Sequence, residues 1–135
     1  MVRESVDDEN FLVYRGSRNF IVLNRYPYTP GHAMVVPYEH VDTLEAASQE
    51  TLQEMILLAG RMERHLREVY QPAGFNIGMN IGESAGAGKP RHIHLHVLPR
   101  WPGDTNFMTT VAETRVLPED LPATWRKLRD AFAGS

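Results

Sequence analysis

The sequence predicts a single domain in which short strands and two helices share one core, and three observations predict it. Two β-branched and aromatic runs, parted by Gly-Ser, lie near the amino terminus; a long stretch with apolar residues at helical spacing fills the middle; and residues 91–101 read "RHIHLHVLPRW", three histidines on alternate positions with an aliphatic in every gap. With 135 residues and 42% apolar composition, the chain has the length of one domain and the means to bury a core.

Taken in order, "FLVYR" (11–15) and "NFIVL" (19–23) predict two antiparallel strands joined by a tight turn. "NRYPYTPGH" is turn-rich, and its Pro30-Gly31 pair delivers the chain into a third strand, "HAMVVPY", with His32 at its mouth. Asp42 followed by Glu45 has the form of a capping box. Apolar residues then recur at Leu52, Met55, Ile56, Ala59, Met62, Leu66, Val69 and Tyr70, predicting the longest amphipathic helix, which Pro72 and Gly74 end. "GFNIGMNI" resumes as a strand, and the glycine-rich loop "GESAGAGKPR" leads from it into the histidines.

Beyond the histidines, the alternation in "TNFMTTVAETRVL" is imperfect, which predicts an arm with at most a short strand around Val116. Pro118, Glu119 and Asp120 suit a helix start, and Leu121, Trp125, Leu128 and Phe132 follow at helical spacing. No repeat, low-complexity tract or compositional shift divides residues 1–135, so one domain is expected, with its core over 11–101 and a carboxyl-terminal arm and helix over 102–135.

Composition excludes several classes. Fourteen basic against seventeen acidic residues, with no block of like charge, give no field to recruit nucleic acid or an anionic membrane, so an anionic ligand must be met by local donors. The absence of cysteine removes disulfides, thiolate metal sites and thiol nucleophiles. "MVRESVDDEN" lacks the apolar core of a secretory signal and no run reaches the roughly 20 apolar residues of a membrane span, so a cytoplasmic protein is expected.

On a strand, His92, His94 and His96 share one face while Ile93, Leu95 and Val97 share the other; on a helix the three would be scattered by about 200° in turn. Three chemical readings follow. Imidazole is a common zinc ligand, but at about 3.3 Å per residue the outer pair stand roughly 13 Å apart, and ligands of one zinc lie within about 4 Å of each other, so at most two could join one ion. The histidines could instead be satisfied polar residues on the outer face of an edge strand. Or they serve phosphoryl or nucleotidyl transfer: a neutral imidazole is a good nucleophile toward phosphorus and a good leaving group afterwards, and flanking imidazoles donate hydrogen bonds to phosphate oxygens. Glycines in the preceding loop permit the concave backbone that binds anions, although the loop matches neither the P-loop, since Glu83 and Pro90 stand at required positions, nor G-x-G-x-x-G, since Arg91 takes the last glycine's place.

The run His92-Ile93-His94-Leu95-His96-Val97-Leu98 resembles the H-φ-H-φ-H-φ-φ signature of the histidine triad (HIT) nucleotide hydrolases and transferases, and the resemblance extends through "NFIVLNRYPYTPGHAMVVPYEHV" and "GFNIGMNIGESAG" over most of residues 11–101. "PRWPGDTNF" is similar to the branch that holds bacterial diadenosine tetraphosphate phosphorylases and related dinucleoside polyphosphate hydrolases. The resemblance implies an α+β, HIT-like fold: a five-stranded antiparallel sheet with one long and one shorter carboxyl-terminal helix, pairing through the long helix and a strand into a homodimer with a ten-stranded sheet. It implies cleavage of the α-phosphoryl bond of a dinucleoside polyphosphate by His94 as nucleophile, the adduct being resolved by water or inorganic phosphate. His92, His96 and His32 would orient the phosphate. Asn24 would contact the ribose, Asn80 the phosphates, and Gly86, Ala87 and Gly88 the same anion through their backbone. Trp101 lies where an aromatic face can stack on a base. No cofactor is implied beyond a divalent cation accompanying the substrate, and neither nucleic acid nor membrane is a partner.

The chain departs from the family at several positions. Lys89 stands three residues before the triad, where phosphoramidase members carry serine, so nucleoside phosphoramidate hydrolysis is the alternative activity. Ala87-Gly88 stands where phosphorylase members carry Gly-Ser or Gly-Asn, which sets hydrolysis beside phosphorolysis. The amino-terminal tryptophan segment common in the branch is not seen, so a pocket built differently there is expected. A non-catalytic nucleotide-binding module is the rival from another class. Surface roles are expected for His40 and His65; Arg25, Tyr26, Lys89 and Arg100 are weaker site candidates, with a solvated surface expected for each charge.

Overall fold

The computed structural model describes residues 10–25, 30–82, 92–104 and 119–134. Within them lie β1 (Leu12–Arg15), β2 (Asn19–Leu23), β3 (Ala33–Pro37), α1 (Gln49–Tyr70), β4 (Gly74–Gly78), β5 (Leu95–Arg100) and α2 (Leu121–Ala133). The strands form one sheet in the order β1-β2-β3-β5-β4, every pair antiparallel. β5, last in sequence, is inserted between β3 and β4, which brings the end of the chain's histidine run into the middle of the sheet. This is the α+β architecture of a five-stranded antiparallel sheet with one long and one short helix.

Strict alternation along the strands divides the sheet into two faces. Ile21, Leu23, Ala33, Val35, Ile93, Leu95 and Val97 are buried against α1, while the intervening residues point away from the core. Helix α1 covers the sheet with Met55, Leu58, Ala59, Met62 and Leu66, all at i, i+3 or i+4 spacing, and α2 adds Trp125, Leu128 and Phe132. Trp125 Nε1–H donates to Leu12 O at 2.7 Å, fastening α2 to β1. The β1–β2 turn is held by Glu54 of α1, whose carboxylate accepts from Ser17 N, Arg18 N and buried Asn19 Nδ2. Among the described residues no helix is long and apolar enough to cross a membrane.

Four expectations are corrected. The long helix begins at Gln49, not after Asp42. Ser48 is its cap, accepting from Thr51 N at 3.2 Å, and the Ser48 N–H that a capping-box glutamate would take is satisfied by Glu39 Oε1 at 3.0 Å, while Thr43 spends its hydroxyl on Ala46 N. Ile56, expected on the apolar face, is 64% exposed beside Leu57 at 67%. His65, expected at the surface, is 4% exposed, because its position between Met62 and Leu66 turns it inward, where its ring packs 4.6 Å from that of Phe132. The strand beginning at Gly74 stops at Gly78 rather than running to Ile81. The arm at 105–117 with its strand around Val116, and Pro118, lie outside the described residues.

Candidate active site

The site is built by three chain segments that the topology brings to one face. His92 and His94 lie in the extended lead into β5 and His96 is its second residue; all three are half-buried and alternate with buried Ile93, Leu95 and Val97. The lead is pinned by Ile93 N–H donating to Val41 O at 2.9 Å. His32 immediately precedes β3, and because Met34 pairs with His96, His32 stands one step along the same face, diagonal to His96.

The hydrogen bonds of the four rings are specific. His94 Nδ1 lies 3.1 Å from His92 O, and His92 Nε2 lies 2.8 Å from Pro37 O. A carbonyl only accepts, so each of these nitrogens carries the proton; neutral His94 therefore holds its lone pair on Nε2. His32 Nε2 and His96 Nδ1 are 2.9 Å apart, and Asn24 Nδ2 is 3.1 Å from His32 Nδ1. The His94 and His96 rings meet edge to face at 4.8 Å, and His40 makes the same contact with His92 at 5.1 Å. Burial, then the neighbouring His96 and His94, lowers the His32 pKa from 6.5 to about 4. Burial, then His94, holds His96 below the ordinary histidine range as well. Near neutral pH these two rings are uncharged.

Beside the histidines opens a cleft of about 420 Å³, within the range of small-ligand sites. His32 and His96 form one side and Asn76, Gly78, Met79 and Asn80 the other. In the β4–β5 ladder Asn76 stands opposite Leu98 and Gly78 opposite His96. Arg100, expected to be solvated, forms a pair with Asp104 through two hydrogen bonds of 2.8 and 2.7 Å and also donates to Asn76 Oδ1. That pair lowers the Asp104 pKa.

Among the predicted residues, then, His32, His92, His94, His96, Asn24 and Asn80 come together. Trp101 does not join them. It lies past the far end of β5, about 16 Å along the strand from His96, and packs edge to face on Tyr70 of α1. Gly86, Ala87 and Gly88 fall outside the described residues, as do Lys89 and Tyr26. The reading of individual residues missed Asn76, Gly78 and Met79. The signal for two of them was present, since Asn76, Gly78 and Asn80 alternate at period two, but nothing local told which strand would lie beside the triad. Among the described residues no group of three or more His, Cys, Asp or Glu is placed to hold a metal ion.

The comparisons with known proteins agree with this fold. The family model described as HIT domain matches residues 6–103. The chain is 42% identical over 127 residues to the AP-4-A phosphorylase of Mycobacterium tuberculosis strain H37Rv, which covers 94% of this chain and 65% of that protein. It therefore spans just under two thirds of that relative's length. It is 29% identical over 91 residues to the asymmetrical bis(5'-nucleosyl)-tetraphosphatase of Schizosaccharomyces pombe, covering 67% of this chain and 50% of that one. Among solved structures, a zinc-bound histidine triad family protein from Mycobacterium smegmatis superposes with a TM-score of 0.75 at 31% identity, covering 96% of this chain and 88% of that one.

Proposed function

The chain belongs to the HIT domain family, and from that premise we propose that it cleaves the α-phosphoryl bond of dinucleoside polyphosphates such as diadenosine tetraphosphate through a covalent nucleotidyl adduct on His94. The observation that carries the reading is the His94 Nδ1–H bond to the His92 carbonyl, which leaves the lone pair on Nε2 of a ring 4.8 Å from that of His96, itself a wall of the cleft. Nε2 forms a bond to the α-phosphorus as the bond to the leaving nucleotide's oxygen breaks, the electron pair departing with that oxygen. The ring then carries a positive charge, delocalised over both nitrogens and stabilised by the carbonyl, which makes it a good leaving group. In the second step an oxygen of water or inorganic phosphate attacks phosphorus, the N–P bond breaks with its electron pair returning to Nε2, a proton from attacking water passes to solvent, and the neutral ring is regenerated.

His96 orients the phosphoryl oxygens, His92 holds the nucleophile's ring through its carbonyl, Asn80 lines the phosphate side of the cleft, and Gly86, Ala87 and Gly88 supply backbone N–H groups to an anion. The chemistry draws on no cofactor; a divalent cation enters with the polyphosphate. The active unit is a homodimer. Ile56 and Leu57, exposed on α1 beside Leu52, form an apolar patch that a second copy covers, and β4, at the end of the sheet, pairs with its counterpart to extend the sheet to ten strands.

Product analysis on diadenosine tetraphosphate tests the activity. ADP plus ATP, dependent on inorganic phosphate, identifies phosphorolysis; AMP plus ATP identifies hydrolysis; no nucleotide product under either condition rejects the reading.

A further inference from the structure

Two of the four rings in the site have their protons assigned by backbone carbonyls, whereas His32 Nε2 and His96 Nδ1 face each other, 2.9 Å apart. Each neutral imidazole has one N–H, so one ring donates and the other accepts, and the contact itself is indifferent to which. The choice is made on the far side of His32. Asn24 Nδ2 is 3.1 Å from His32 Nδ1, and the Asn24 backbone N–H donates to His32 O at 2.9 Å, so this side chain is anchored to the residue whose ring it meets.

An amide nitrogen only donates. His32 Nδ1 therefore accepts, and the ring's one proton sits on Nε2. That proton is given to His96 Nδ1, and the proton of His96 is left on its Nε2, the nitrogen turned away from His32. We propose that Asn24 is a positioning residue: acting through His32, it orients the proton of His96 so that a protonated Nε2 on His96 stands beside the unprotonated Nε2 of His94. The phosphoryl group then meets one nucleophile and one hydrogen-bond donor. With the chain reversed it would meet two lone pairs, each repelling an anionic oxygen. The low pKa of His32 and the lowered pKa of His96 keep both rings neutral near pH 7, so the relay concerns tautomers and not charge.

The use of the donor rests on the nucleotidyl-transfer reading; the tautomers do not, which separates the two tests. Long-range proton–nitrogen correlation spectra of the protein labelled with nitrogen-15 histidine, at pH 7 and without substrate, read each ring directly. The expected result is an unprotonated Nδ1 and protonated Nε2 on both His32 and His96. Asn24→Leu removes the donor, and the His96 Nε2 signal moves toward the unprotonated range; Asn24→Asp, which only accepts at neutral pH, makes His32 Nδ1 a protonated nitrogen. With diadenosine tetraphosphate, Asn24→Leu lowers kcat by about tenfold or more, less than the roughly hundredfold that outright loss of a preorganised donor costs, because the His96 ring itself remains. A protonated Nδ1 on wild-type His32, or tautomers unchanged in Asn24→Leu, overturns the proposal, as does an effect of that variant on KM alone, the mark of a residue that only grips the ribose. The expected tautomers in a protein without turnover would leave the relay standing and reject only the cleavage reading.

Discussion

Gly78 stands directly across from His96 in the β4–β5 ladder, so the strand that walls the cleft carries no side chain next to the imidazole. A Cβ built at Gly78 meets no atom within 4 Å, which means the space there belongs to the cleft and not to the core. Gly78→Val therefore folds, since strand propensity spans only about 1 kcal/mol and favours valine. Its branched side chain occupies the room a phosphoryl group would need. Thermal unfolding is expected to be unchanged or slightly raised, with kcat/KM for diadenosine tetraphosphate down by about tenfold or more. Undiminished turnover in a folded Gly78→Val protein would show that substrate does not use this cleft.

His94→Ala removes the nucleophile from a half-buried position on the sheet face turned away from the core, so stability is little affected. Turnover falls by at least about a thousandfold, in line with what enzymes lose with a covalent nucleophile, while binding of the dinucleotide measured by calorimetry persists. Mass spectrometry of quenched wild-type reactions should find one nucleotidyl group on the peptide spanning 92–96, and none in the variant. Turnover that survives this substitution rules out the covalent route.

Whatever depends on strand geometry alone could be read in advance. Period-two alternation places His92, His94 and His96 on one face whichever strands lie beside them, and the spacing of Met55, Ala59, Met62 and Leu66 fixes an inner face of α1 in the same local way. The insertion of β5 between β3 and β4 is a long-range pairing, and no local pattern specified it; hence Asn76 and Gly78 could not be matched to the triad. The start of α1 was misplaced because Asp42 and Glu45 carry capping-box spacing, whereas the true cap, Ser48, has no glutamate three residues on and has its N–H taken by Glu39, nine residues back in the chain. His65 was legible in principle: it lies three residues after Met62 and four before Val69, both on the core side, but its polar type argued for the surface.

His65 is a costly occupant of that inner face. Neither ring nitrogen has a hydrogen-bond partner among the described residues; Glu68 Oε1 approaches Nδ1 to 3.4 Å, too long and poorly aligned to satisfy it. Burial is the main reason its pKa lies below the ordinary value, opposed by Glu68 and assisted by Arg64 and Arg61. His65→Leu keeps much of the volume, loses the ring contact with Phe132, and removes an unsatisfied buried group whose cost is about 1–3 kcal/mol. A rise in Tm of about 3 °C or more is expected. A lower Tm would mean that the ring contact outweighs the desolvation.

Ile56→Glu addresses the pairing of two copies. Ile56 is 64% exposed in the single chain, so the substitution should change monomer stability by less than about 0.5 kcal/mol. Placed in a buried interface, the same carboxylate is desolvated without a partner and the interface fails. Sedimentation velocity is expected to show a dimer for the wild type and a monomer for Ile56→Glu. A wild-type monomer at all concentrations, or a variant that still dimerises, places the interface elsewhere or removes it.

The buried site should also make the fold sensitive to acid in a definite window. His32 has a folded pKa of about 4 against an ordinary value of 6.5, and the groups its ring faces, His96, His94 and Asn24, offer no negative charge to an imidazolium. Between those two values the unfolded chain binds a proton that the folded chain refuses, so stability is lost as pH falls from about 6.5 toward 4 and is insensitive to this group above it. His96 and His65 are shifted in the same direction. The carboxylates of Glu54, Asp104 and Glu119 sit below their ordinary values and therefore withdraw their contribution only in more acidic solution. The interval from pH 7 to 5 isolates the histidines. Denaturant midpoints should fall across it in the wild type and fall less in His32→Asn, which cannot titrate there; an equal fall in both would assign the acid sensitivity to His96 and His65 instead.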